Sequence, residues 1–343
     1  MSDFLLRPVA PADLLALMRM AAASADGISS LPHDEARLAA RIQASRHSFA
    51  SADDASGEET YLFVLEDLQR GAVVGCSGIA ASAGFYDRFY SYRNEFVVHA
   101  SQALGVTQRM HTLHLCHDLT GCTLLTSFYL APEYDQGPAA QLLSRARLLF
   151  IHAHAERFSS RIAAENPGVV DAQGQSPFWD AVGRRFFGMD YPQAESVVGG
   201  RSKAFIADLM PPSPLYVALL PEAAQWALGQ LHPVGELPFS ILADEGFDAD
   251  TYVDIFDGGP TVDAPLASLR TVRHARWHTV QPQGVAPPAA GVPSLLVRPE
   301  RGRFAALLGT VGTHLSAAAV ARAEGQAGER WLCAPLDPVE GEA

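Results

Sequence analysis

Apolar positions along this chain recur with two periods, and the change between them outlines its elements. The run FLLRPV at 4–9 has strand length, and Pro11 then opens a helix whose positions Leu14, Leu17, Met18 and Ala21 share one face. A turn-like GISSLP at 27–32 precedes a second helix expected over 34–48, with Leu38 and Ile42 on its buried side. YLFVLED at 61–67 and AVVGCSGIA at 72–80 are strand-like and joined by a short link, which predicts an antiparallel hairpin. Strand-like runs at 94–99 and 110–116 lead to LLTSFYL at 124–130, where the polar APEYDQGP follows. Leu142, Ala146, Leu149 and Ala153 then recur at helical spacing. Strand, polar turn and helix form a unit whose helix N-terminus can point unpaired amides at a phosphate, so 124–158 is the candidate cofactor site.

Further on, 161–171 reads as a strand and loop, and SPFWDAVGRRFF at 176–187 as a helix burying Phe178, Trp179, Val182 and Phe186. Helices are expected at 221–230 and 238–245, and a strand with a Gly-Gly-Pro turn at 252–260. Pro282, Pro287, Pro288 and Pro293 mark a linker over 280–294. The remaining 295–343 carry SLLVRP, RFAALLG, a short helix from Ser316 and RWLCAPL, a small, mainly β module beside a larger domain at 1–279.

Composition narrows the function. With 48% hydrophobic and 18% charged residues the chain is a folded, soluble type. Its net charge of -13 and single lysine, Lys203, argue against nucleic-acid binding, which needs clustered cations. No apolar run reaches the roughly 20 residues of a membrane span, and the first residues given lack a basic region followed by an apolar signal core, so a cytoplasmic location is expected. Cys76, Cys116, Cys122 and Cys333 are scattered, as suits reduced thiols in a cytoplasm.

Several clusters carry possible chemistry. His111, His114, Cys116 and His117 invite a metal, but strand alternation sends 111 and 117 to one side and 114 and 116 to the other, so no metal is expected. Arg93, within an aromatic run from Phe85, is either an ion-paired packing residue or a bidentate partner for a substrate carboxylate. Asp254 and Asp257 beside the Gly-Gly turn either bond to nearby amides or hold a guanidinium or ammonium group. His232, after a helix and before Pro233, is either a helix-end residue or a general acid.

Read together, GISSLP, YLFVLED, FYSYRNE with VHAS, HDLTG, LLTSFYL, SRARLLF, DAQGQSPFW with VGRRFF, KAFIADLMP, GQLHP and YVDIFDGGP resemble the arginine N-succinyltransferase family over almost the whole chain. That resemblance implies an α/β (α+β) fold like the acyl-CoA N-acyltransferases: a mixed, mostly antiparallel sheet flanked by helices, with a small C-terminal β-barrel-like module. It implies succinyl transfer from succinyl-CoA, a co-substrate rather than a bound cofactor, to the α-amine of L-arginine or L-ornithine. His232 in GQLHP matches the family's proton donor, and Leu125 in LLTSFYL its succinyl-CoA contact. Backbone around Leu125 and Thr126 is the expected oxyanion site, while substrate contacts by Arg93 and Asp257 are read from their residue types.

The departures are local. Many members have Glu, Met, Arg, Gly where this chain has Glu165, Asn166, Pro167 and Gly168. In the acyl-CoA loop pattern, Asp135, Pro138 and Ala140 fall at the Arg or Gln, Gly, and Gly or Ala positions, and only Ala140 fits. The family also includes paired subunits, and this chain is more like the alpha type. The expected partner is therefore a paralogous subunit or a second copy, with a weakly catalytic, regulatory subunit as the alternative role.

Overall fold

A computed structural model describes residues 4–24, 31–51, 55–198, 209–280, 291–312 and 317–337. Most of the GISSLP turn and of the Pro-rich linker lie outside these residues, as does Ser316.

The frame is one 14-stranded sheet. Its strands are β1 (Phe4–Pro8), β2 (Thr60–Asp67), β3 (Ala72–Ala80), β4 (Ser91–Ser101), β5 (Val106–Cys116), β6 (Thr123–Leu130), β7 (Arg161–Glu165), β8 (Leu215–Tyr216), β9 (Asp248–Val253), β10 (Pro260–Pro265), β11 (Arg276–Thr279), β12 (Val292–Arg298), β13 (Ala305–Val311) and β14 (Arg330–Pro335). They lie in the order β11-β14-β12-β13-β1-β2-β3-β6-β7-β10-β9-β4-β5-β8. Every pair is antiparallel except β6 with β7. The expected hairpin at 61–80 is present, and the runs at 94–99 and 110–116 extend into a second, longer one. Across the Pro-rich stretch the sheet continues, because β13 pairs with β1 and β14 with β11.

Helices α1 (Leu14–Ala23) and α2 (Glu35–Ala50) cover one face. Asp34 starts α2 by accepting from the Arg37 amide, and Leu38 and Ile42 pack with Leu62, Val64 and Cys76. The opposite face carries α3 (Pro138–Ala153). Alternation along β2 divides the two cores: Leu62 and Val64 face α2, while Tyr61, Phe63 and Leu65 face α3.

Burial on α3 exceeds what its spacing predicts. A stripe at Leu142, Ala146 and Leu149 predicts one buried face, yet residues from Leu142 to Ile151 are buried without interruption. Residues of the 236–245 helix, the segment 266–272 and β12 to β14 close over the side that the stripe leaves outward. Arg145 and Arg147 are consequently buried as well.

Three other elements differ from the reading of the sequence. The helix at 176–187 splits at Val182, whose backbone leaves helical geometry at φ -114, and Gly183 follows against the Trp179 ring, where a Cβ would clash. Phe186 on its second half is 45% exposed rather than buried. The strand expected at 252–260 ends at Val253, since the Asp254 carboxylate accepts from the amides of Phe256 and Asp257 and turns the chain. Among the described residues, no helix is long and apolar enough to cross a membrane.

Candidate active site

The parallel pair makes the opening. β6 and β7 are in register only at Thr123 with Ile162 and Leu124 with Ala163. Beyond these residues β6 stays paired with β3 as far as Leu130, while β7 stays paired with β10 through Glu165. Two parallel strands that keep their outer neighbours and lose each other part here and leave a gap between their backbones. The backbone from Leu125 onward lies along one wall, and the chain leaving β7 at Asn166 along the other.

The β6 wall is irregular where it matters. Its register with β3 shifts between Cys76 and Gly78, and Ser127 adopts φ 56, the left-handed region that non-glycine residues rarely occupy. Gly78 is required opposite: a Cβ there would lie 2.7 Å from the Thr126 hydroxyl. Leu125 is buried against the α3 core, so its side chain is part of the packing and only its backbone is available to a ligand.

His232 is fastened to the second wall. Its amide donates to the Pro167 carbonyl at 2.8 Å, and Leu231 bridges Gly168. Its Nδ1 accepts from the Val234 amide at 3.3 Å, capping the short helix Pro233–Gly235 and leaving Nε2 as the outward nitrogen. Partial burial pushes the imidazole below its ordinary value of 6.5, so it rests neutral near pH 7. Both strands leave their shared pairing in the same direction, so the bulge and His232 lie at the same end of the sheet.

The family model described as "Arginine N-succinyltransferase beta subunit" matches residues 4–271. The arginine N-succinyltransferase subunit alpha of Pseudomonas aeruginosa is 48% identical over 303 residues, which are 88% of this chain and 89% of that one. The chain belongs to the arginine N-succinyltransferase family. It is an acyltransferase. The arginine N-succinyltransferase of Salmonella arizonae is 42% identical over 79% of this chain and 78% of its own length. A solved structure of arginine/ornithine succinyltransferase subunit AI from P. aeruginosa superposes with a TM-score of 0.87 at 41% identity, covering 98% of this chain and 100% of that one.

Within this family member, the other residues singled out from the sequence fall elsewhere. Asp257 is buried, and its two oxygens accept from the amides of Gly168 at 2.7 Å and Gly259 at 2.8 Å. It therefore ties the β9–β10 turn to the loop after β7, against which Leu231 and His232 are fastened. Arg93 lies on β4, donating to Glu95 at 2.6 Å and to Asp118. Those hydrogen bonds, that to Glu95 foremost, raise its pKa further. The geometry is that of the packing alternative: an ion pair at a position about one-third exposed.

The turn before α3 is exposed and acidic, with Glu133 and Asp135, and Gly137 caps the helix without a side-chain bond. Pro138 at the first position has no amide to offer. Arg70, at the β2–β3 turn, stands beside it with its guanidinium 2.9 Å from the Tyr134 hydroxyl. In the sequence Arg70 is merely part of a hairpin link, and pattern alone assigns it no role. Arg41 and Arg147 were equally unmarked, and they reach the β6 bulge from α2 and α3. The available signal was SRARLLF, where two arginines interrupt an otherwise apolar helix.

Proposed function

We propose that this chain transfers the succinyl group of succinyl-CoA to the α-amine of L-arginine, with L-ornithine as a second acceptor, in the β6–β7 cleft. The observation carrying the reading is the parallel pair that opens after two residues, with a distorted β6 on one wall and His232 tied to the other. The thioester carbonyl lies along β6, where the peptide amides from Leu125 to Ser127 polarise it, Leu125 and Thr126 thus contributing backbone. An amine largely protonated near pH 7 first loses a proton to a water chain or base. Its nitrogen then attacks the carbonyl carbon, and the carbonyl π electrons move to oxygen. Their return breaks the C–S bond. The excess proton on nitrogen passes to His232 Nε2 and from there to the departing CoA sulfur. No covalent enzyme intermediate is needed, and burial keeps the Cys76 thiol protonated, pushed up to about 12.

Asp257 serves this chemistry by holding Gly168, and Arg93 by bracing β4 against Asp118. Arg70 is the cation we assign to the CoA phosphates, in place of the arginine or glutamine that Asp135 replaces. Strands β12 to β14 act as a buttress for α3. The assembly is an oligomer with a paralogous subunit or a second copy, supported by the subunit naming of the P. aeruginosa relatives. The site is cytoplasmic and uses no metal or bound cofactor.

His232→Gln tests the assignment. The variant should keep its fold and lose about 10²- to 10⁴-fold in kcat, followed as CoA release with arginine, ornithine and no acceptor. Wild-type kcat/KM, which already falls with decreasing pH as the amine protonates, should fall more steeply below the lowered histidine pKa, because protonation removes the base that accepts the amine proton, and that added steepness should vanish in the variant. Wild-type turnover in His232→Gln would remove His232 from the chemistry. Activity of the chain alone would exclude a purely regulatory role.

A further inference from the structure

We propose that Arg147 is a positioning residue for acyl transfer, a buried cation that fixes the peptide units of the β6 bulge and places a permanent positive charge behind the thioester carbonyl. The inference rests on the reading that β6 polarises that carbonyl.

Arg147 enters from α3 and is 2% exposed. Its Nη1 donates to the carbonyl oxygens of Gly78 at 3.3 Å and Thr126 at 3.4 Å, the two strands that face each other across the bulge. Its Nε and Nη2 donate to the backbone carbonyl and the hydroxyl of Ser144. All these acceptors are neutral, and among the described residues no carboxylate lies within ion-pair range of it. A buried guanidinium without a counter-charge is costly, and burial pushes this one down to about 9, which still leaves it cationic at neutral pH. Packing alone would be served at lower cost by Leu or Met.

The position gives the charge a use. A trans peptide points its N–H opposite to its C=O, so a Thr126 oxygen held toward α3 directs the Ser127 amide the other way. Arg41 grips the same bulge from the opposite face, donating to the Ser127 hydroxyl and, at 3.5 Å, to that of Thr126. The Cys76 thiol donates to the Ser127 carbonyl at 3.4 Å. Polar groups on both faces thus hold Ser127 in a conformation that a strand does not adopt unaided. A donor fixed before the reaction stabilises a developing oxyanion without reorganising, and a nearby cation in a dry surrounding adds to the field at that oxygen.

The test uses the full chain with succinyl-CoA carrying ¹³C at the thioester carbonyl, bound without an amine acceptor, and reads the carbonyl band by isotope-edited infrared spectroscopy. In the wild type the band should lie at lower wavenumber than in free succinyl-CoA. In Arg147→Met it should return most of the way to the free position, with kcat lowered about 10- to 100-fold and the KM for succinyl-CoA within about threefold of wild type. Arg147→Lys, which keeps the charge but loses the fork, should fall between the two and also decides the matter if the Met variant does not fold. A wild-type band and kcat in a folded Met variant, or in the Lys variant where it alone folds, overturns the role of Arg147. A wild-type enzyme that turns over but shows no shift overturns instead the placement of the carbonyl on β6.

Discussion

Arg145 and Arg147 stand two residues apart on the same helix, equally buried, and differ in what surrounds the charge. Arg145 lies 2.8 Å from Glu245 and also donates to the Thr271 hydroxyl and the carbonyls of Pro335 and Leu336. Arg147 meets carbonyls and hydroxyls, with the Phe128 ring 5.9 Å away, and among the described residues no carboxylate. The first is a neutralised joint between α3, the 236–245 helix and the end of β14. The second is an unneutralised charge aimed at the distorted strand of the cleft. A fold that needs only cohesion supplies a carboxylate. Where none is supplied, the charge is available to a ligand.

Removing Arg145 leaves the buried Glu245 carboxylate with the more distant, partly exposed Arg270, 3.5 Å away, as its remaining counter-charge, so Arg145→Met should destabilise the fold most, by about 3 kcal/mol. Chemical denaturation would show it as a lowered midpoint at unchanged slope. Adding Glu245→Leu should recover part of the loss, because the buried carboxylate no longer has to be desolvated, while the partly exposed Arg270 is left to water. A single variant as stable as the wild type would end the contrast, since Arg145 would then be no more a joint than its neighbour.

Arg147→Met addresses the other half. Losing its hydrogen bonds costs stability, while losing the desolvation penalty of an unpaired cation restores it, so the net change should stay within about 1 kcal/mol. Thermal unfolding of the two methionine variants side by side measures the contrast directly. An Arg147 variant that unfolds as early as the Arg145 variant would make both residues structural.

Much of the frame was legible before the fold was known. Continuous apolar runs of strand length marked β2, β3 and β6, the first two largely buried on both faces, and period-three-to-four spacing marked α1, α2 and α3. The motifs from GISSLP to YVDIFDGGP carried the family. What spacing could not carry was burial from a second side: SRARLLF set two arginines among apolar residues, but nothing in 138–153 identified 266–272 and β12 to β14 as what closes over α3. The bulge at Ser127 was equally hidden, since a positive φ at a serine leaves no mark in a strand-like run. Asp257 looked like a ligand group because its nearest partner, Gly168, lies 89 residues away in sequence. Both readings of Arg93 were open, as Glu95 and Asp118 are ordinary surface acids until β4 and β5 are paired.

Arg93 completes the series as a third environment, a guanidinium paired with carboxylates but about one-third exposed, 37% by side chain. Water and salt screen such a pair, so Arg93→Ala should shift stability by no more than about 1 kcal/mol, and less at high salt. Its charge is already taken by Glu95 and Asp118, so it has little left for a succinyl carboxylate. The preference for succinyl-CoA over acetyl-CoA, measured as the ratio of kcat/KM values, should therefore stay within about twofold of wild type. Had Arg93 held the succinyl carboxylate, its removal would lower that ratio tenfold for each ~1.4 kcal/mol of binding. A collapse of the ratio with the fold intact would mean that Arg93 leaves its acidic partners when the acyl donor binds. Charge compensation in the unliganded protein would then no longer separate joints from ligand sites, and the contrast between Arg145 and Arg147 would have to be drawn from reach into the cleft alone.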